Sequence, residues 1–154
     1  MAFATPSKFT QAEQDWLVKN PIVTVAISSD YAPISYLSEK NKFTGISADY
    51  LALIEQQLKA VNPNFNFVTV LPNKVERGAN DPLHKHVSMV VDFVITPDRQ
   101  KYWQFTKPYL EMPLHLIVRQ NVTFNISLSQ FKQEKIAVID YYAAHELLAK
   151  NILN

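Results

Sequence analysis

Thr96 and Arg99 are the residues whose types and spacing most directly suggest chemistry; they lie in the stretch ITPDRQKYWQFTKPY, residues 95 to 109. Thr96 is a good N-cap and Pro97 suits a first helical position, so a helix is expected to begin here. Asp98 then stands in the first turn, where a carboxylate is favoured, and Arg99 stands where a cation is not. Two readings follow. Arg99 reaches Asp98, Glu111 or solvent and has no further role. Alternatively, Arg99 and the free N–H groups of that helix end converge on one anion. A planar guanidinium grips a carboxylate through two parallel hydrogen bonds, and a helix start adds aligned donors. Asp92, a few residues earlier, either binds an ammonium group or pairs with Arg99.

Other candidate chemistries are weaker. His84 and His86 alternate in HKH and could share a metal, but no carboxylate or thiol neighbours them in sequence, so a solvated turn is expected and no metal. The stretch HELLA at 145 starts like a zinc-protease helix but carries Ala149 where the second His belongs. The chain has no cysteine, which excludes disulfides, thiol catalysis and Cys-ligated metals. Its two glycines, Gly45 and Gly78, are too few for a phosphate-cradling loop, and no cofactor is expected. Fifteen Lys and Arg balance fourteen Asp and Glu, which gives no reason to expect a nucleic-acid partner.

The elements that must position these residues alternate in type. A helix is expected over 10–20, with Thr10 and Glu13 at capping-box spacing. Strands are expected at 22–28, 65–71, 87–95, 113–120 and 135–140. A helix over 47–61 carries Leu51, Ile54, Leu58 and Val61 as its core face, and a closing helix spans 141–153. This order implies an α/β fold with a mostly parallel sheet, whose ligands bind beyond the carboxyl ends of the strands. The loops after 28, 94 and 140 are therefore the ones to watch. Tyr31 and Tyr36 sit in the first of these, either facing a cleft or packing on Pro33 and Pro108. Nothing reads as a signal peptide or membrane span, so any export or anchoring segment would be expected outside this chain.

The stretch at 95–109 resembles the T-x-x-R…F-T-x-P-Y signature of the type 2 periplasmic solute-binding proteins. Further pieces match in order. VAISSDYAPISYL resembles the family's first strand and its Asp-Tyr-x-Pro loop, which contains Asp30 and Tyr31. KFTGISADYLALIEQQL is similar to the following turn and first helix. PLHLIVRQ is similar to the strand crossing to the second lobe, and IAVIDYYAAHELL to the second-lobe strand and helix. The leader FTQAEQDWLVKNPIVTVAI is similar to that of Venus-flytrap sensor domains in bacterial hybrid histidine kinases and diguanylate cyclases.

The resemblance implies a periplasmic or extracytoplasmic clamp of the type 2 (Venus-flytrap) α/β fold. It implies a leader helix at 1–20, a first lobe at 21–108, a crossing strand at 109–118 and the start of a second lobe at 119–154. The ligand implied is a small polar solute bearing a carboxylate, amino-acid-like, bound without chemistry. Arg99 would take its carboxylate and Tyr31 would pack on its body, with Asp30, Tyr36, Asp92, Val94 and Tyr142 completing the site. Val94 and Asp92 depart from the family pattern, since Val94 lacks a hydroxyl common there and Asp92 adds charge. Tyr141 replaces a usual glycine. The chain ends before the family's second lobe is complete, and exposed sheet edge and apolar surface would favour a homodimer. Sensor module and transporter binding protein are both compatible with these features. Two alternatives on the same fold are a cyclic-acid dehydratase using Asp92 and a degenerate clamp acting through protein contacts.

Overall fold

In a computed structural model, residues 9–71, 87–120, 135–139 and 142–152 are described. The chain divides into two compact units, Met1–Phe93 and Val94–Asn154.

Unit 1 opens with α1, Gln11–Lys19. Its capping box forms as the sequence implies: the Glu13 N–H donates to Thr10 Oγ1, and the Thr10 N–H donates to Glu13 Oε2 at 2.7 Å. These two contacts satisfy donors that a helix start leaves open. β1 (Ile22–Ala26) then lies between two parallel neighbours, β5 (Asn66–Val70) and β6 (Met89–Val90). The register runs from Ile22 opposite Asn66 to Ala26 opposite Val70, with Val25 opposite Met89. β-branched residues and Ala fill β1, as a strand covered on its faces requires. Between β1 and β5 come a small antiparallel ribbon and a helix. The ribbon is β2 (Asp30–Tyr31), β3 (Ser35–Leu37) and β4 (Phe43–Thr44), and the helix is α2 (Ile46–Lys59).

Gly45 joins ribbon to helix with φ 115, and a Cβ there would meet the Ile34 carbonyl oxygen at 2.6 Å. Only glycine fits that backbone. The close approach lets the Ile46 and Ser47 N–H groups donate to the carbonyls of Pro33 and Ile34, so the loop caps the start of α2.

The core gathers Leu17, Val23, Val25, Ile27, Leu51, Phe65 and Val91. Leu51, Leu58 and Val61 face the core as expected, and the departure is at Ile54. Ser47 and Leu51 are buried and Glu55 and Leu58 half-buried, whereas Ile54 is exposed. Glu55 faces the sheet because it has work there. Its Oε2 accepts from the Phe67 N–H at 2.9 Å, satisfying a backbone donor on the outer side of β5. Lys59 and then this N–H hold the Glu55 carboxyl below the usual range.

The strand expected at 87–95 forms a ladder only at Met89–Val90, because Asp92 adopts φ 51 and turns the chain out of the sheet. Asp is among the few non-glycine residues that tolerate this conformation.

In unit 2, the helix expected after Thr96 is a single 3-10 turn, Arg99–Lys101. Residues 113–120, expected as a strand, run as irregular exposed chain, as do 135–139. A strand needs a ladder partner, and none pairs with these segments among the described residues. α3, Ala143–Ile152, confirms the closing helix. Within the described residues of unit 2, only Thr96 and Ala143 are buried.

Candidate functional site

The loop after β1 is fixed by a buried hydroxyl. Ser35 Oγ accepts from the Ser28 N–H at 3.2 Å and donates to the Ser28 carbonyl at 3.1 Å. Ser28 Oγ in turn donates to Asp92 Oδ1 at 3.3 Å, joining this loop to the turn after β6. The ribbon register pairs Tyr31 with Ser35 and Asp30 with Tyr36, and Tyr36 with Thr44 on its other side. Side chains alternate across a strand, so Tyr31 and Tyr36 lie on opposite faces. Tyr31 shares its face with Ser35, Leu37 and Phe43, of which Leu37 and Phe43 pack on the core. Tyr36 shares the other face with Asp30 and Thr44. Both tyrosines are half-buried and Asp30 is exposed.

The second set of residues lies in unit 2. Thr96 Oγ1 accepts from the Arg99 N–H at 3.3 Å, and the Thr96 carbonyl accepts from the Gln100 N–H at 3.0 Å. Thr96 therefore does cap the turn, and the turn aims the Arg99 side chain back along the chain. Arg99 Nη1 donates to the Val94 carbonyl at 3.2 Å, which gives Val94 a role through its backbone while its side chain is exposed. Among the described residues, the acid that Arg99 meets is none of those near it in sequence. Glu146, in the first turn of α3, receives Arg99 Nε at 2.9 Å and Nη2 at 2.7 Å on Oε1. It receives the Thr96 hydroxyl at 2.7 Å on Oε2. Asp98 instead joins Lys101 at 2.8 Å and Lys150 at 2.7 Å. Lys101, and then Lys150, pull the Asp98 carboxyl from 3.8 down to about 2. Asp98 pushes the Lys101 ammonium up in return.

Tyr142 is half-buried just before α3, and its carbonyl accepts from the Glu146 N–H at 3.2 Å. Tyr141, His84 and His86 lie outside the described residues. Sequence reasoning missed Glu146 because an acid in a first helical turn already has an explanation in the helix dipole. The available signal was the count of partners: with Asp98 flanked by its own lysines, a largely buried Arg99 needs another carboxylate.

An apolar depression of about 460 Å³ elsewhere in unit 1 is lined by Phe9, Ala12, Trp16, Leu17 and Leu58, with Glu13 at its edge. Glu13 is engaged in the α1 cap, so this depression lacks the convergent polar groups that orient a solute. Among the described residues no cluster of His, Asp and Glu could hold a metal ion.

A parallel α/β unit whose helix α2 starts at Gly45, followed by a T-x-x-R turn, is the architecture of a type 2 solute-binding protein. Residues 23–150 match the bacterial extracellular solute-binding proteins, family 3, and the chain belongs to that family. Its extracellular character places the chain outside the cytoplasm. The virulence sensor protein BvgS of Bordetella pertussis is 23% identical over 148 residues, covering 96% of this chain and 12% of the sensor. The BvgS of Bordetella bronchiseptica is 24% identical over 95% of this chain and 11% of its own length. This chain thus spans about an eighth of those sensors. The crystal structure of the B. pertussis BvgS periplasmic domain superposes with TM-score 0.69 at 22% identity, over 96% of this chain and 28% of that one. The arginine-bound form of domain 1 from TmArgBP gives TM-score 0.50 at 20% identity, over 63% and 71% of the two chains. These structures establish the type 2 periplasmic-binding fold.

Proposed function

We propose that this chain is a solute-binding module of a bacterial sensor and takes a small carboxylate-bearing, amino-acid-like solute through Thr96 and Arg99. The observation that carries this reading is that these two side chains already hold a carboxylate, that of Glu146. Two guanidinium nitrogens reach one oxygen at 2.7 and 2.9 Å, and the Thr96 hydroxyl reaches the other at 2.7 Å. Charge-assisted bonds of this length are the strong ones, and a site built this way rejects solutes that lack the carboxylate. The similarity to BvgS supports the sensor role over a transporter's binding protein. An arginine-bound relative of the same fold supports an amino-acid-like solute.

In this reading residues 21–108 form the first lobe, 109–118 the crossing segment and 119–154 the start of the second. Tyr36 and Asp30 lie on the outer face of the ribbon, and Tyr31 on its core-side face. Asp92, Val94 and Tyr142 act as supports: Asp92 by holding the loop after β1, Val94 through its carbonyl, Tyr142 through the start of α3.

A thermal-shift screen with amino acids, dicarboxylates and polyamines tests the reading. A solute at a hundred times its dissociation constant adds about 2.7 kcal/mol, several degrees for a unit this size. The expected result is a hit among the carboxylates that disappears in Arg99→Ala. A polyamine hit that survives Arg99→Ala would sink it.

A further inference from the structure

Glu146 is more than a structural partner for Arg99. It spends both oxygens on the donors that a solute carboxylate would need: Oε1 on Arg99 Nε and Nη2, Oε2 on Thr96 Oγ1. Thr96 is 2% exposed and the Arg99 side chain 13%, so little of either is left for a second carboxylate to approach. The Glu146 carboxylate is also tethered, since α3 is tied to the same short segment by Lys150 on Asp98.

A tethered group competes at a high effective concentration. A solute that needs the same donors then shows an apparent dissociation constant raised in inverse proportion to the fraction of molecules in which those donors are free. Displacing Glu146 has a second consequence. A carboxylate deprived of its cation beside an incoming carboxylate is unfavourable, unless the solute carries a positive group of its own.

We infer that Glu146 is an internal stand-in for the solute carboxylate. The solute binds by exchanging ion pairs, its carboxylate passing to Arg99 and Thr96 and its ammonium to the released Glu146. This rests on the receptor role of Thr96 and Arg99 given above, and it adds to that reading a competitor built into the chain, whose carboxylate must leave before a solute can bind. No bond is made or broken; one hydrogen-bonded ion pair becomes two.

The test compares L-alanine with propionate, which differ in the ammonium group, on the full chain. Binding is followed by titration calorimetry in every variant and, where Arg99 is present, by the NMR signal of its Nε–H, which reports directly on the carboxylate it meets. The wild-type chain should bind L-alanine more tightly than propionate. Glu146→Gln keeps the size of the side chain and removes its charge, and it should tighten propionate at least tenfold and cancel the preference for L-alanine. Should that variant not fold, Glu146→Asp, which keeps the charge but shortens the reach, should give a smaller gain in the same direction. If propionate binds wild type and Glu146→Gln equally while Arg99→Ala abolishes binding, the receptor stands and the stand-in role is wrong. If neither probe perturbs Arg99 in the wild type or in Glu146→Gln, the receptor reading itself fails and the exchange falls with it.

Discussion

Between residues 9 and 93 the elements meet through apolar side chains. Leu17 from α1, Val23 and Val25 from β1, Leu51 from α2 and Phe65 before β5 pack into one cluster. Between residues 94 and 150 the described side chains bury little, and what joins the 94–101 segment to α3 is charge: Arg99 and Thr96 on Glu146, Lys150 on Asp98. The difference matters for function. Apolar burial is non-directional and holds under most conditions. An ion pair can be exchanged for another of the same chemistry, so a receptor for a charged solute belongs in the part of the chain held by polar contacts.

The comparison breaks most visibly in unit 1. Phe65 is 1% exposed and meets Phe67 edge to face at 5.1 Å. Phe65→Ala should cost about 3–5 kcal/mol, lowering the melting temperature by more than ~10 °C in a calorimetric scan. Next comes Gly45→Ala. The new methyl would press on the Pro33 and Ile34 carbonyls, and φ 115 is closed to alanine. A loss above ~1 kcal/mol is expected, read by urea denaturation. A neutral result would mean that the ribbon and the start of α2 are looser than their contacts imply.

A third change sharpens the contrast. Arg99→Ala leaves Glu146 without its cation, a loss of about 1–3 kcal/mol for a partly buried charged hydrogen bond. Glu146→Gln should cost less, since an amide can still accept from Arg99. The two variants should then part company in binding: the first loses carboxylates, the second gains them. Stability and affinity moving in opposite directions in Glu146→Gln is the mark of a site held in readiness. Both falling together would make the pair purely structural.

Much of unit 1 was legible in the sequence for local reasons. The β-branched run at 22–26, the Thr10–Glu13 spacing and the glycine at 45 each admit few conformations. Ile54 misled because helical spacing alone does not say which of two adjacent stripes faces the sheet; the unsatisfied Phe67 N–H decides it by recruiting Glu55. In unit 2 the apolar runs at 113–120 and 135–139 have strand composition, but strand formation depends on a partner that composition cannot supply. Thr96 and Arg99 were found as a motif, and their acid was not, because Glu146 lies 47 residues beyond Arg99 and nothing local points to it.

The smallest expected effect concerns Asp98. Lys101, then Lys150, hold its carboxyl at about 2 in the folded chain, against an ordinary 3.8. A depressed carboxylate contributes stability that is fully present above 3.8 and is lost as pH falls from there through about 2. The contribution is modest, because the group is half-exposed and open to screening by salt. Asp98→Asn should therefore lower stability slightly and evenly from pH 7 down to about 3.8, and the deficit should vanish as pH falls through about 2. Urea melts of both proteins across pH 2 to 5, at low and at high salt, would show it. If the two curves stay parallel throughout, Asp98 is not held by its lysines in solution, and Arg99 with Thr96 remains the tie between the 94–101 segment and α3.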